Sequence, residues 1–169
     1  EGGYPGANPT DTAFFSVPRT TRARFTAFGM TKRPGRSAAN DPGLQGLIQS
    51  ASDSICFVAK SWDYHVRVAL GISLEENLDG IAESVSATLA AGKEALVDCE
   101  HFFDGYAADP DFALSCVETA YRAGARWVIL CDTNGGTMPD TIEAVVAKVC
   151  ERVPGSHLGI HAHDDTGHA

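Results

Sequence analysis

Two histidines one residue apart, His161 and His163, are followed at once by Asp164 and Asp165 in the segment LGIHAHDDTGHA. In an extended strand, residues i and i+2 project from the same face, so both imidazoles can reach one divalent cation. Two nitrogen donors do not fill a coordination shell. At least one carboxylate from elsewhere is expected, with open positions for water or substrate. Glu100 ends another apolar run, where a carboxylate can orient a metal-bound water or act as an acid or base. A salt bridge to a neighbouring Lys or Arg is the plainer reading. His101 is an alternative proton carrier, although strand alternation turns it away from Glu100. In the segment CDTNGG, Thr133 can donate a hydrogen bond to a substrate carboxylate, and the glycines let backbone approach a ligand. Asp132 there either caps the next helix, holds a loop or joins the chemistry. Lys32, Arg33 and Arg36 form a basic cluster, read either as solvated loop charge or as a contact for a phosphate-bearing cofactor.

These residues must be positioned by something regular. Five apolar runs read as strands, at 24–28, 54–60, 94–99, 126–132 and 157–163, and most are apolar enough to be buried parallel strands. Helical segments lie between them. Asn8-Pro9, Asp41-Pro42 and Asp109-Pro110 each set an N-cap before a first-turn proline. Ser73 to Glu76 reads as a capping box, and Thr137 to Asp140 as a weaker version of it. Gly92 and Gly124 mark helix ends. One helix should present Phe112, Cys116 and Ala120 to a sheet, and another Ile142, Val145, Val146 and Val149.

Uninterrupted β-α alternation predicts a parallel α/β sheet. No GxGxxG follows the first strand, so a dinucleotide fold has no direct support. A regular repeat on the order of 30 residues suits a (β/α)8 TIM barrel, with the active site at the C-terminal ends of the strands. Polar residues gather at that end of every predicted strand, the main sign of an enzyme. A whole barrel takes roughly 250 residues and eight strands. Residues 1–169 therefore read as one incomplete barrel domain, an internal fragment, with Glu1-Gly2-Gly3 as the possible tail of one more strand.

The composition fits this. Of 169 residues, 44% are hydrophobic and 21% charged, enough apolar residues for a core. The formal net charge of -9 argues against nucleic acid or an anionic membrane surface as partner. No apolar run reaches the length of a transmembrane helix. The five cysteines form no CxxC, and Cys56, Cys99 and Cys131 fall inside strand-like runs, as reduced thiols of a cytosolic protein would.

With these residues placed, the chain resembles the DRE-TIM metallolyase family. The segments EGGYPGANPTD, FTAFGMTKR, DCEHFFDGY, LCDTNGGTMP and GIHAHDDTGHA carry the likeness, each in order and at the expected strand end. EHFFDGY looks like the branch that makes citramalate, rather than the related branches that make 2-isopropylmalate or homocitrate. The resemblance implies a Claisen-type condensation of acetyl-CoA with pyruvate, giving citramalate and CoA for isoleucine synthesis. It implies a divalent metal (Mg, Mn or Zn), a cytoplasmic enzyme, and a homodimer in the full-length protein. It assigns His161 and His163 to the metal, Glu100 to catalysis and Thr133 to the keto-acid carboxylate. By its count the five strands are barrel strands three to seven, with Glu1 at the end of strand two. Asp164 departs from the asparagine usual in the family. The family's arginine-aspartate pair on strand one and a further asparagine ligand on strand eight are not in the sequence. A chain lacking them is expected to be inactive alone, to bind metal weakly, and to expose sheet edges that invite aggregation or pairing. A metal-dependent amidohydrolase barrel and a non-catalytic assembly module are the readings from other classes.

Overall fold

The computed structural model describes residues 2–18 and 22–167, so Glu1 and His168 lie outside it. Five strands form one parallel sheet in sequential order: β1 (Thr26–Met30), β2 (Ser54–Lys60), β3 (Glu94–Glu100), β4 (Trp127–Asp132) and β5 (Leu158–Ala162). The helices are α1 (Pro9–Phe14), α2 (Pro42–Gln49), α3 (Asp63–His65), α4 (Leu74–Ala90), α5 (Phe102–Ala108), α6 (Pro110–Arg122) and α7 (Pro139–Cys150). Sequential parallel strands with helices on one face make an arc of a (β/α)8 barrel. The arc's concave side is the barrel interior. No helix is long and apolar enough to cross a membrane among the described residues.

Alternation sorts the side chains. In β3, Ala95, Val97 and Cys99 are buried against the helices, whereas Leu96, Asp98 and Glu100 face the interior and are only partly buried. The expectation of continuously buried strands is corrected here. The interior face of the arc is open, so alternate residues keep some exposure. β5 departs most: Ile160 is 53% exposed and His161 is exposed, and among the described elements this strand packs chiefly against β4. β1 begins two residues later than predicted and runs to Met30.

The β1 edge is not bare. Gly2 donates its amide to the Thr26 carbonyl at 3.0 Å, and Phe28 donates to the Gly3 carbonyl at 2.9 Å. Gly2 and Gly3 thus continue the ladder beyond β1, as the strand-tail reading anticipated, while Glu1 falls outside the described residues.

Local capping works largely as the side chains dictate. Asn8 accepts from the Asp11 amide, Asp41 from Gly43 and Leu44, and Asp109 from Phe112. Burial opposes ionisation of Asp41, but the amides of Arg33, Leu44 and Gly43 outweigh it and hold the carboxyl below the usual range. Two capping expectations are corrected. Ser73 does accept from the Glu76 amide, but Glu76 turns its carboxylate to the Gly35 amide instead of closing a box. Thr137 donates its hydroxyl to Asp132, and Met138 takes the N-cap position of α7 without a side-chain bond. Gly92 (φ 77°) and Gly124 (φ 103°) end α4 and α6 in the left-handed region, as their positions suggested.

Candidate active site

The site is assembled where β3 ends. Lys60 and Glu100 are register partners at the last residues of β2 and β3, and the ammonium and carboxylate form an ion pair. The salt bridge that was the plainer reading of Glu100 is therefore real. It does not remove Glu100 from the cavity, because only Oε2 meets Lys60 Nζ. Lys60 is itself pinned: Asn77 Nδ2 donates to its carbonyl at 2.9 Å.

The chain then breaks out of the strand. Ser61 donates its hydroxyl to the Glu100 carbonyl at 2.8 Å. His101 adopts φ 54° and ψ 37°, a left-handed conformation uncommon for a residue with a Cβ. That turn sends the His101 amide to Thr133 Oγ1 at 2.8 Å, tying β3 to the loop after β4. Because Thr133 accepts there, its own hydroxyl proton stays free to donate elsewhere. The His101 ring leaves the strand face, as expected. Its Nδ1 meets Asp104 Oδ2 at 3.1 Å, and Asn134 Nδ2 donates to the same oxygen at 3.0 Å. The ring packs edge-on to His65 at 4.7 Å and beside Trp62 at 5.8 Å. His65 Nδ1 is buried without a hydrogen-bond partner among the described residues. Burial, then the charges of His101 and Lys60, push the His65 pKa down, favouring the neutral ring.

Asp132 resolves its alternatives. It is buried and accepts from both the amide and the hydroxyl of Thr137, so it holds the loop between β4 and α7. A Cβ on Gly135 of that loop would lie 2.9 Å from the Asp165 carboxyl, so the CDTNGG and HDD segments press against each other.

Phe28, Val58, Asp98, Glu100, Cys131, Thr133, His161 and His163 line one cavity of about 260 Å³ on the interior face. All four residues singled out in the sequence are there: Glu100 from β3, Thr133 from just beyond β4, and His161 and His163 at the end of β5. The two imidazole centroids lie 5.1 Å apart. Two residues were missed as site residues. Asp98 Oδ2 stands 3.9 Å from His161 Nδ1, and one donor atom each from Asp98, Cys131 and His161 fit within 4.8 Å of one another. The donor set of imidazole, carboxylate and sulfur suits a divalent cation. Asp98 was readable in principle, since alternation puts it on the face of Glu100. Cys131 was taken only as a buried thiol.

The basic cluster is weaker than its sequence suggested. Lys32 is turned inward, donating to the Arg36 carbonyl and facing Glu83 at 3.5 Å, with 8% of its side chain exposed. Arg33 lines a separate cavity of about 220 Å³ with Asp41, Leu70 and Asn77, away from the histidines. That cavity holds the carboxylates of Asp41 and Glu76 but no histidine, whereas the first brings two histidines together with Asp98 and Glu100.

The chain is similar to known proteins along most of its length. The HMGL-like family matches residues 34–169. An (R)-citramalate synthase of Streptomyces coelicolor is 52% identical over 171 residues, covering 99% of this chain and 32% of that protein. The (R)-citramalate synthase of Aquifex aeolicus is 45% identical, covering 98% and 32%. A homocitrate synthase of Sulfurisphaera tokodaii is 26% identical, covering 99% and 35%. The chain thus spans about a third of the length of the curated relatives it matches. Among solved structures, hydroxymethylglutaryl-CoA lyase from Pseudomonas aeruginosa superposes with a TM-score of 0.73 at 17% identity, covering 94% of this chain and 51% of that one. The HMG-CoA lyase from Brucella melitensis gives 0.69 at 20% identity, covering 90% and 52%. Both have the same fold over the matched length.

Proposed function

The chain belongs to the HMGL-like family, and on that premise we propose that the whole protein condenses acetyl-CoA with pyruvate to give citramalate and CoA. The observation that carries this reading is the likeness to (R)-citramalate synthases along nearly all of the chain, against a much weaker likeness to homocitrate synthases. Residues 1–169 would then be part of one catalytic barrel, in a cytoplasmic homodimer.

The residues can perform the steps such a reaction needs. Thr133 keeps its hydroxyl proton for the carboxylate of the 2-oxo acid, because toward the His101 amide it acts as acceptor through one of its two lone pairs. Glu100 Oε1, the oxygen not joined to Lys60, accepts a proton from the acetyl methyl group. The methyl carbon forms the new bond to C2 of pyruvate, whose carbonyl oxygen gains a proton. Water then cleaves the thioester and releases CoA with its thiol. A divalent metal held by His161 and His163 would, when bound, polarise the C2 carbonyl.

The test is an assay of the whole protein with acetyl-CoA and pyruvate, 2-oxoisovalerate or 2-oxoglutarate, following thiol release and identifying the acid formed. Citramalate from pyruvate, with the other acids poor substrates, is expected. Preference for 2-oxoisovalerate or 2-oxoglutarate overturns the pyruvate assignment. No thiol release with any acid overturns the synthase reading.

A further inference from the structure

We propose that His101 and Asp104 are positioning residues, a latch that fixes the Thr133 hydroxyl for the carboxylate of the 2-oxo acid. This rests on the role given to Thr133 above and deepens it. The segment EHFFDGY then serves the site through Thr133 as well as through Glu100.

The first observation is backbone strain. Among the described residues, His101 is the one non-glycine residue with a positive φ, 54° with ψ 37°. A Cβ disfavours this region, so the conformation persists only where the surroundings hold it. The turn delivers the His101 amide to Thr133 Oγ1 at 2.8 Å. A threonine tied at one lone pair keeps one χ1 rotamer, which limits where its hydroxyl proton can point.

The second observation is what holds the turn. The His101 ring, 16% exposed, donates from Nδ1 to Asp104 Oδ2 at 3.1 Å. Asn134 Nδ2 donates to the same oxygen at 3.0 Å. An ionised carboxylate accepts both. Asn134 follows Thr133 in the chain, so the contacts close a circuit. The backbone of His101 meets the side chain of Thr133, Asn134 meets Asp104, and Asp104 returns to the ring of His101. His65 and Trp62 pack against that ring, with centroids at 4.7 and 5.8 Å. Asp104 is placed by α5, whose Gly105 lies so near the backbone of Ser61 and Trp62 that a Cβ would collide with it. Neither His101 nor Asp104 lines the cavity that holds Glu100, Thr133 and the histidine pair. Both act at one remove, and their kinetic signature differs from that of Glu100. Opening the latch should weaken binding of the 2-oxo acid and leave proton abstraction almost unchanged.

The measurement is thiol release by the whole protein with acetyl-CoA and the 2-oxo acid that wild type prefers, pyruvate by the reading above. D104A and H101A should raise KM for the 2-oxo acid about 3- to 10-fold, the worth of one hydrogen bond. The kcat and the KM for acetyl-CoA should stay close to wild type. H101N should recover part of the loss, because asparagine tolerates the left-handed region and carries an amide donor. N134A, at an exposed position, should shift KM the same way by less, and it serves if D104A fails to fold by far-ultraviolet circular dichroism. D104A combined with T133V should bind the 2-oxo acid no worse than T133V alone, because Asp104 acts through Thr133. Additive losses in that double variant, or an unchanged KM in D104A, H101A and N134A alike, overturn the proposal. Hydrogen exchange reads the latch apart from turnover: in D104A, peptides covering 100–105 and 132–136 should exchange faster together. Unchanged exchange in both segments overturns the latch. Faster exchange in a protein that releases no thiol with any 2-oxo acid leaves the latch standing and removes the proposed reaction.

Discussion

Lys60 and Glu100 face each other at the ends of neighbouring strands and form an ion pair that leaves one carboxylate oxygen to the cavity. The pair gives Glu100 a fixed direction. It also compensates a carboxylate that is three-quarters buried, at 25% side-chain exposure. Lys60→Met should therefore lower kcat/KM more than KM for pyruvate rises, and Lys60→Arg should restore part of it. Removing the ammonium should also cost on the order of 1–2 kcal/mol of stability, a figure discounted for the pair's partial exposure. Glu100→Gln should lower kcat by about 10²–10⁴-fold, the usual worth of a positioned acid or base. Steady-state kinetics and urea unfolding measure the two effects; an unchanged kcat in both variants would falsify the role given to Glu100.

Thr133→Val removes the hydroxyl but keeps the shape. The KM for pyruvate should rise roughly 10- to 100-fold, the equivalent of one charge-assisted hydrogen bond. Thr133→Ser should behave nearly as wild type, because it keeps both the lone pair used by His101 and the free proton. Equal KM values for the valine and serine variants would remove Thr133 from substrate binding.

Gly105 and Gly46 should respond to alanine with opposite signs. Both are helical, and alanine is the better helix former by up to about 1 kcal/mol. A Cβ on Gly105 would sit 2.9 Å from Trp62 Cα and closer still to the Ser61 carbonyl, which is backbone and cannot swing aside. Gly105→Ala should destabilise by about 1–3 kcal/mol. A Cβ on Gly46 meets nothing within 4 Å, so Gly46→Ala should stabilise by about 0.5–1 kcal/mol. Denaturation midpoints of the two variants settle the comparison.

His65 links stability to pH. Its folded pKa lies below the ordinary 6.5, so the unfolded chain binds the proton more readily. The stability it contributes is fully present above pH 6.5 and is lost as pH falls toward its lowered folded value. Unfolding free energies measured from pH 7.5 down to about 5, above the main carboxylate range, should decline less in His65→Phe than in wild type. The phenylalanine keeps a ring beside Trp62 and His101 but cannot take a proton. Parallel pH curves for the two proteins would count against this account.

Most of the site was legible because strand alternation is a local rule. Glu100, Thr133, His161 and His163 could be placed at strand ends by counting residues. Asp98 obeys the same count, two residues before Glu100 on the same face, but it lies inside an apolar run and not at the strand end where polar residues gather. Cys131 looked like Cys99 in sequence; the two differ only in which side of the sheet they meet. Lys60 was visible at a strand end, yet nothing local says that its register partner is Glu100, forty residues away. Lys32 went the other way, since a basic cluster in sequence became a buried lysine facing Glu83 on a distant helix. β5 also misled, because its apolar residues predict burial that depends on which elements cover it.

By itself the sequence determined the alternation of strands and helices, the caps that start the helices, and the polar residues at the C-terminal ends of the strands. These follow from periodicity and short-range hydrogen bonding, which need no distant partner. Tertiary structure alone decided which charges meet and which donors converge: Lys60 with Glu100, His101 with Thr133, and Asp98 with His161 and Cys131. Those meetings depend on register between strands, and register is fixed only when the whole sheet packs against its helices.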